Sequence, residues 1–95
     1  SNTFNPEHPI TRQDAMVIAA RALKSAGAIL APGAPGELEK FGDAGLVSDY
    51  AAEAVAALVN NGIVQGSGGS IHPVQNITRA EAAVVIYKLF LRANR

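Results

Sequence analysis

The chain has 95 residues, of which eight are basic and eight acidic, so its formal net charge is zero, and it contains no cysteine. A neutral chain lacks the positive surface that binds nucleic acid or an anionic membrane. Without cysteine there is no disulfide, no thiol nucleophile and no cysteine zinc site. No apolar run approaches the length of a membrane span, so we expect no membrane insertion. The composition predicts one small domain of closely packed helices.

The first predicted helix runs from about Arg12 to Ala26, after a turn around residues 4–6, and Thr11 is its predicted N-cap. Apolar residues recur at helical spacing and predict a buried stripe on this helix. The stripe consists of Ala15, Ile18, Ala19, Ala22, Leu23 and Ala26. Gly27 is the predicted stop, and the Pro- and Gly-rich residues 27–37 are predicted to form a linker loop.

The second predicted helix follows residues 41–43, with Ser48 or Asp49 as its N-cap. Its buried positions are Ala51, Ala54, Val55, Leu58 and Val59. Residues 60–62 predict an end with Gly62 in the left-handed conformation. The glycine-rich turn at residues 65–70 does not match a phosphate-binding loop, because no Lys-Ser/Thr pair follows it.

The third predicted helix, about Arg79 to Leu91, begins with a capping box. The Thr78 hydroxyl can accept from the backbone N–H of Glu81, and the Glu81 carboxylate can accept from the N–H of Thr78. Ile77 can pack on Ala82 as a small hydrophobic staple. The inward positions are Ala82, Val85, Ile86, Leu89 and Phe90. Arg79 is a cation where the helix dipole favours an anion, so we expect its guanidinium to serve a partner outside the helix.

A shift of 67 residues lays Ile10-Thr11-Arg12 on Ile77-Thr78-Arg79, with the apolar faces of both helices in register. This match predicts an internal repeat. In the first copy Gln13-Asp14 replaces Ala80-Glu81, and the shorter Asp14 weakens the capping box. The predicted organisation is residues 1–3 as a cleavage scar or tail, 4–26 as the C-terminal half of a preceding repeat, 27–37 as a linker loop, and 38–92 as one complete repeat.

A set of short segments spans the second unit: Phe41-Gly42-Asp43, Val47-Ser48-Asp49-Tyr50-Ala51, Ala54-Val55, Gly62-Ile63-Val64-Gln65-Gly66, Pro73 and Ile77-Thr78-Arg79-Ala80-Glu81. In these segments the chain resembles the S-layer homology (SLH) domain family. The resemblance implies an all-α fold of helix-loop-helix repeats, here about one and a half repeats with three main helices and long loops. It also implies a non-catalytic module at the bacterial cell surface. Such modules tether S-layer proteins or exoenzymes to a secondary cell-wall polysaccharide, often a pyruvylated one, through grooves between neighbouring repeats.

The resemblance also indicates candidate ligand-binding residues. Arg79 and Arg12 match the family's arginine, and a guanidinium can bind the carboxylate of a pyruvyl ketal bidentately. Arg79 is the stronger candidate, because Asp14 departs from the family pattern beside Arg12. The further candidates are Asp43 and Ser67 for sugar hydroxyls, Gly66 for close backbone approach, and Tyr50 for packing on a sugar ring. Thr78, Glu81, Thr11 and Asp14 are assigned helix-capping roles.

Other roles are open for several of these residues. Arg79 can instead form an ion pair with Glu53 or Asp43, and Asp43 can instead stabilise the turn before the second helix. His8 and His72 stand beside prolines without ligand spacing, so we expect no metal, and we expect no cofactor and no catalysis. The alternative function is a protein–protein or self-assembly module, because one and a half repeats leave an apolar stripe uncovered and favour homo-oligomers.

Overall fold

The computed structural model describes residues 9–28, 30–33, 35–64 and 69–93. The elements are β1 (Pro9–Thr11), α1 (Arg12–Ser25), two short 3₁₀ helices (Pro35–Lys40 and Ala44–Leu46), α2 (Asp49–Asn60), β2 (Asn76–Thr78) and α3 (Arg79–Ala93). The prediction of a small helical domain with three main helices is confirmed. Among the described residues, no helix combines the length and apolar character that crossing a bilayer requires.

A two-stranded ribbon joins the two copies of the repeated motif, and the sequence did not predict it. Strands β1 and β2 are antiparallel, with Ile10 opposite Ile77 at the centre and Pro9 opposite Thr78 at one end. Each strand has three residues, too few to show the alternation that predicts a strand. Because the strands run in opposite directions, α1 and α3 begin at opposite ends of the ribbon.

The core is built around α1, which packs against both α2 and α3. The largest fully buried side chains of the core are Met16, Leu23, Val55, Leu58, Ile71 and Pro73. A smaller cluster of Ala15, Ile77 and Ala82 lies beneath the ribbon. Ile77 and Ala82 are the residues predicted to form the staple. The fully buried Ala15 and Ala19 give α1 small side chains in the core, as the composition suggests.

The predicted buried stripe of α1 was wrong at two positions. Ile18 is 43% exposed, whereas Met16, which was not in the stripe, is 1% exposed. Residues 16–18 are all large and apolar, so spacing alone does not decide which of them faces the core. Ala26 is exposed because it lies beyond the last turn, as the C-cap of α1.

The helix ends follow the local signals with one exception. Gly27 and Gly62 adopt φ values of +92° and +71° directly after α1 and α2, as predicted. Ser48 is the N-cap of α2, but its side chain makes no capping hydrogen bond. Its hydroxyl instead accepts a hydrogen bond from Gln13 of α1.

The segment between α1 and α2 packs more closely than an exposed linker. A Cβ atom on Gly33 would lie 2.3 Å from the Ala56 carbonyl oxygen, so the backbone here touches α2. The side-chain amide of Asn61 makes two hydrogen bonds to the backbone of Ala31: it accepts from the N–H (3.2 Å) and donates to the carbonyl (2.9 Å). Asn60 donates to the Pro32 carbonyl. Residues 30–33 are therefore attached to the C-terminal end of α2.

Candidate functional site

The antiparallel ribbon separates the two candidate arginines. The backbone N–H of Arg12 donates to the Gln75 carbonyl (3.0 Å). Arg12 therefore lies at the N-terminal end of β2, which begins at Asn76. Arg79 follows Gln75 by four residues, a distance of about 13 Å along an extended strand. Arg12 and Arg79 therefore lie at opposite ends of the ribbon.

Arg12 is half-buried at the first position of α1, where it contacts a turn formed by residues 71–75, called here the 71–75 turn. Its Nε–H donates to the Ile71 carbonyl at 3.4 Å. The two terminal amino groups of a guanidinium form a fork that fits a carboxylate. A side chain held through Nε can still offer that fork to an anionic ligand.

The 71–75 turn is docked on the start of α1 by further backbone contacts. The Gln13 N–H donates to the Pro73 carbonyl at 2.9 Å, beside the Arg12 bond to Gln75. Ile71 and Pro73 are buried, which fixes the turn from below. Neighbouring His72 is exposed and has φ of +59°, a conformation uncommon outside glycine.

Asp43 binds the other side of this turn. Its carboxylate oxygens accept from the N–H groups of Ile71 (2.9 Å) and His72 (2.8 Å). Partial desolvation acts to raise the pKa of Asp43, but the backbone hydrogen bonds outweigh it and hold the pKa below the usual 3.8. The Asp43 carboxylate therefore stabilises the 71–75 turn, whereas the alternative considered for it was the turn before the second helix.

Tyr50 joins the start of α2 to the start of α1. Its hydroxyl donates to the Asp14 carboxylate, while 63% of the side chain remains exposed. The hydrogen bond to Asp14 raises the pKa of Tyr50 above 10.0, because the anion stabilises the protonated phenol. The exposed ring is available to a ligand, although its hydroxyl is already engaged.

Gln13 is a residue of this site that the sequence did not single out. It is 3% exposed, and its amide pairs twice with Ser48: Nε2 donates to the hydroxyl (3.0 Å) and Oε1 accepts from the N–H (2.9 Å). The available signal was that Gln13 stands where the second copy has Ala80. A polar residue in place of a small apolar one indicates a specific partner.

The second copy has a different arrangement. The Thr78 N–H donates to Glu81 Oε1 at 2.7 Å, and the Glu81 N–H donates to Thr78 Oγ1 at 3.0 Å, which completes a capping box. Arg79 is half-buried beside it. Glu53, the other acid considered for Arg79, lines a groove between α1 and α2.

This groove has a volume of about 630 Å³, and its lining includes the apolar residues Val17, Ala20 and Ala57. The basic residues Arg21 and Lys24 also line it. No group of three or more metal-ligating side chains occurs within the described ranges. The candidates Gly66 and Ser67 lie outside those ranges, so their positions are not part of this site's geometry.

A family model described as "S-layer homology domain" matches residues 40–83. Residues 40–83 of the chain therefore belong to the S-layer homology domain family. It is also 39% identical over 67 residues to the surface-layer 125 kDa protein of Lysinibacillus sphaericus. That match covers 70% of this chain and 5% of the relative, so the chain spans a small part of that protein. No solved structure matches the chain.

Family membership identifies the chain as a surface-layer module located at the cell surface. The SLH match includes Asp43, Tyr50 and the 71–75 turn, which form one side of the Arg12 site. Arg12 and Asp14, on the other side, precede the matched range. The site around Arg12 thus lies between the SLH domain and the first copy of its repeated motif.

Proposed function

We propose that the chain is a non-catalytic anchoring module that binds an acidic cell-wall polysaccharide and so tethers a surface protein to the envelope. The observation that carries this proposal is the position of Arg12. Its guanidinium is held by Nε at the Ile71 carbonyl, between the start of α1 and the 71–75 turn. Nη groups held in this way can bind a carboxylate with little loss of side-chain entropy.

A pyruvylated sugar suits this position. Its ketal places one carboxylate on an otherwise neutral ring, which matches one guanidinium beside a helix N-terminus, where partial positive charge collects. Tyr50, whose hydroxyl binds Asp14 two residues after Arg12, presents an exposed ring against which a sugar can pack. One charged contact with an aromatic neighbour is the recognition we propose.

We rank Arg12 above Arg79 as the ligand-binding arginine. The Arg12 guanidinium donates to the Ile71 carbonyl and its backbone N–H donates to the Gln75 carbonyl, so the 71–75 turn contacts both ends of this residue and limits its motion. The described hydrogen bonds beside Arg79 belong to the capping box of its own helix. This reverses the order expected from the sequence, in which Asp14 counted against Arg12.

A self-assembly module is the second candidate, because α3 has an exposed apolar stripe. Val84, Tyr87 and Leu91, at helical spacing, are 53%, 65% and 53% exposed. Such a stripe favours contact with another apolar surface. Light scattering at increasing protein concentration tests this function. A monomer at all concentrations contradicts it.

The anchoring proposal is tested by sedimentation with purified bacterial cell-wall sacculi, before and after removal of their secondary polysaccharide. We expect the chain to pellet only with intact sacculi, and Arg12→Ala to weaken binding about ten- to a hundredfold. Arg21→Ala is the matched control, because Arg21 is an exposed arginine of the same helix. Pelleting that survives removal of the polysaccharide, or no pelleting, contradicts the proposal.

A further inference from the structure

We infer that Asp43 is a positioning residue: it fixes the peptide group against which the Arg12 guanidinium rests, and it does not touch the polysaccharide. The inference rests on the proposed function and concerns the same site. It assigns Asp43 a different role from the one its family resemblance suggested, which was contact with sugar hydroxyls. One peptide group, between Ile71 and His72, joins Asp43 to Arg12.

Asp43 and Arg12 bind opposite edges of that peptide group. The His72 N–H donates to Asp43 Oδ2 at 2.8 Å, and the Ile71 carbonyl accepts from Arg12 Nε at 3.4 Å. These N–H and C=O groups belong to the same planar unit, and in a trans peptide they point in opposite directions. The three groups therefore form one chain of hydrogen bonds, from carboxylate through peptide to guanidinium.

The orientation of this peptide group depends on Asp43. The adjacent Ile71 N–H donates to the second carboxylate oxygen at 2.9 Å, so Asp43 holds the turn at two successive N–H groups. His72 has φ of +59°, which is unfavourable for a residue with a Cβ atom. Without the carboxylate, relaxation of His72 toward negative φ would rotate the peptide and move the Ile71 carbonyl away from Arg12.

The charge of Asp43 also favours a positioning role over ligand contact. A carboxylate facing an acidic polysaccharide would repel it unless the carboxylate charge were compensated. Here two N–H groups compensate it on the side away from Arg12. Because hydrogen bonds in a chain polarise one another, the anion also strengthens the carbonyl as an acceptor for Arg12.

A double-mutant cycle in sacculus binding tests the inference. The variants are Asp43→Ala, Arg12→Ala and the double variant, with thermal unfolding used to confirm that each is folded at the assay temperature. We expect Asp43→Ala to weaken binding about tenfold when Arg12 is present and not to weaken it further when Arg12 is absent. An equal loss in both backgrounds, or no loss in either, overturns the inference. Failure of the unaltered chain to pellet contradicts the proposed function instead.

A second measurement needs no polysaccharide. The Nε–H resonance of Arg12 in a ¹H–¹⁵N NMR spectrum reports its hydrogen bond to Ile71 directly. We expect this resonance to shift in Asp43→Ala, with a smaller shift in Asp43→Asn, because an amide provides one acceptor oxygen in place of two. Asp49→Ala, which removes an exposed carboxylate from the first turn of α2, is the control. An unchanged Arg12 resonance in Asp43→Ala contradicts the positioning role.

Discussion

The starts of α1 and α3 carry the same Ile-Thr-Arg segment but use the residues after it differently. In α3, Glu81 returns to the Thr78 N–H, and the two side chains cap their own helix. In α1, the Asp14 N–H reaches Thr11 Oγ1 at 3.3 Å, whereas the Asp14 carboxylate binds Tyr50. Asp14 is one methylene shorter than Glu81, and its carboxylate binds Tyr50 of α2 in place of the N-cap of its own helix.

Gln13 extends this difference. Its amide connects α1 to Ser48, whereas the equivalent Ala80 is exposed. The first copy therefore exchanges part of its own helix cap for two contacts with the start of α2. A repeated motif can thus keep its backbone role while its side chains form contacts with a neighbouring helix.

The largest effect on stability is expected when Gln13 is replaced by alanine, the residue at the equivalent position 80 of the second copy. Gln13→Ala removes two hydrogen bonds to Ser48 and leaves a cavity, so we expect the free energy of unfolding to fall by about 2–3 kcal/mol. Urea unfolding measures this loss. The reverse change in the second copy, Ala80→Gln, should stay within about 0.5 kcal/mol of the unaltered chain. Similar losses in both variants would show that the two positions are equivalent after all.

The two arginines are expected to differ in binding. Arg12→Ala should weaken binding to intact sacculi about ten- to a hundredfold, whereas Arg79→Ala should change it less than about threefold. We expect this difference because the Arg12 guanidinium is held by a hydrogen bond to the Ile71 carbonyl. Co-sedimentation of both variants at several protein concentrations provides the comparison. A larger loss in Arg79→Ala would restore the order that the sequence suggested.

The two threonine caps are expected to differ in strength. Thr78→Ala should cost about 1 kcal/mol of unfolding free energy, because it breaks a complete capping box. Thr11→Ala should cost about 0.5 kcal/mol, because its hydrogen bond is longer and Asp14 is directed to Tyr50. Denaturant unfolding of the two variants, analysed with the same m-value, shows which substitution costs more. Equal losses would mean that the first copy is capped as well as the second.

The smallest effect concerns the phenol of Tyr50. Replacing Asp14 by Asn removes the anion that stabilises the protonated hydroxyl, so the pKa of Tyr50 should fall toward 10.0. Ultraviolet titration of tyrosinate reports the change, with Tyr50→Phe used to subtract the signal of Tyr87. Glu81→Gln, in the second copy, should leave the Tyr50 titration unchanged.

Contacts that span a few residues could be predicted from the sequence, and contacts that depend on the path of the chain could not. The cap of α3 joins Thr78 to a residue three positions away, so its signal is local. The bond from Asp43 to Ile71 spans 28 residues, and no spacing rule indicates it. The ribbon was missed because its short strands are stabilised by each other. Gln13 was missed because its burial depends on where Ser48 lies.

The ribbon between the two motif copies contributes to how the module responds to pulling. Both helices leave their strands at the C-terminal end, and in an antiparallel pair those ends point in opposite directions. A force that separates α1 from α3 along the strands therefore loads the hydrogen bonds of the ribbon together, in shear. Bonds loaded together resist force better than bonds opened one after another. Two three-residue strands thus share a shear load where the two copies of the motif meet.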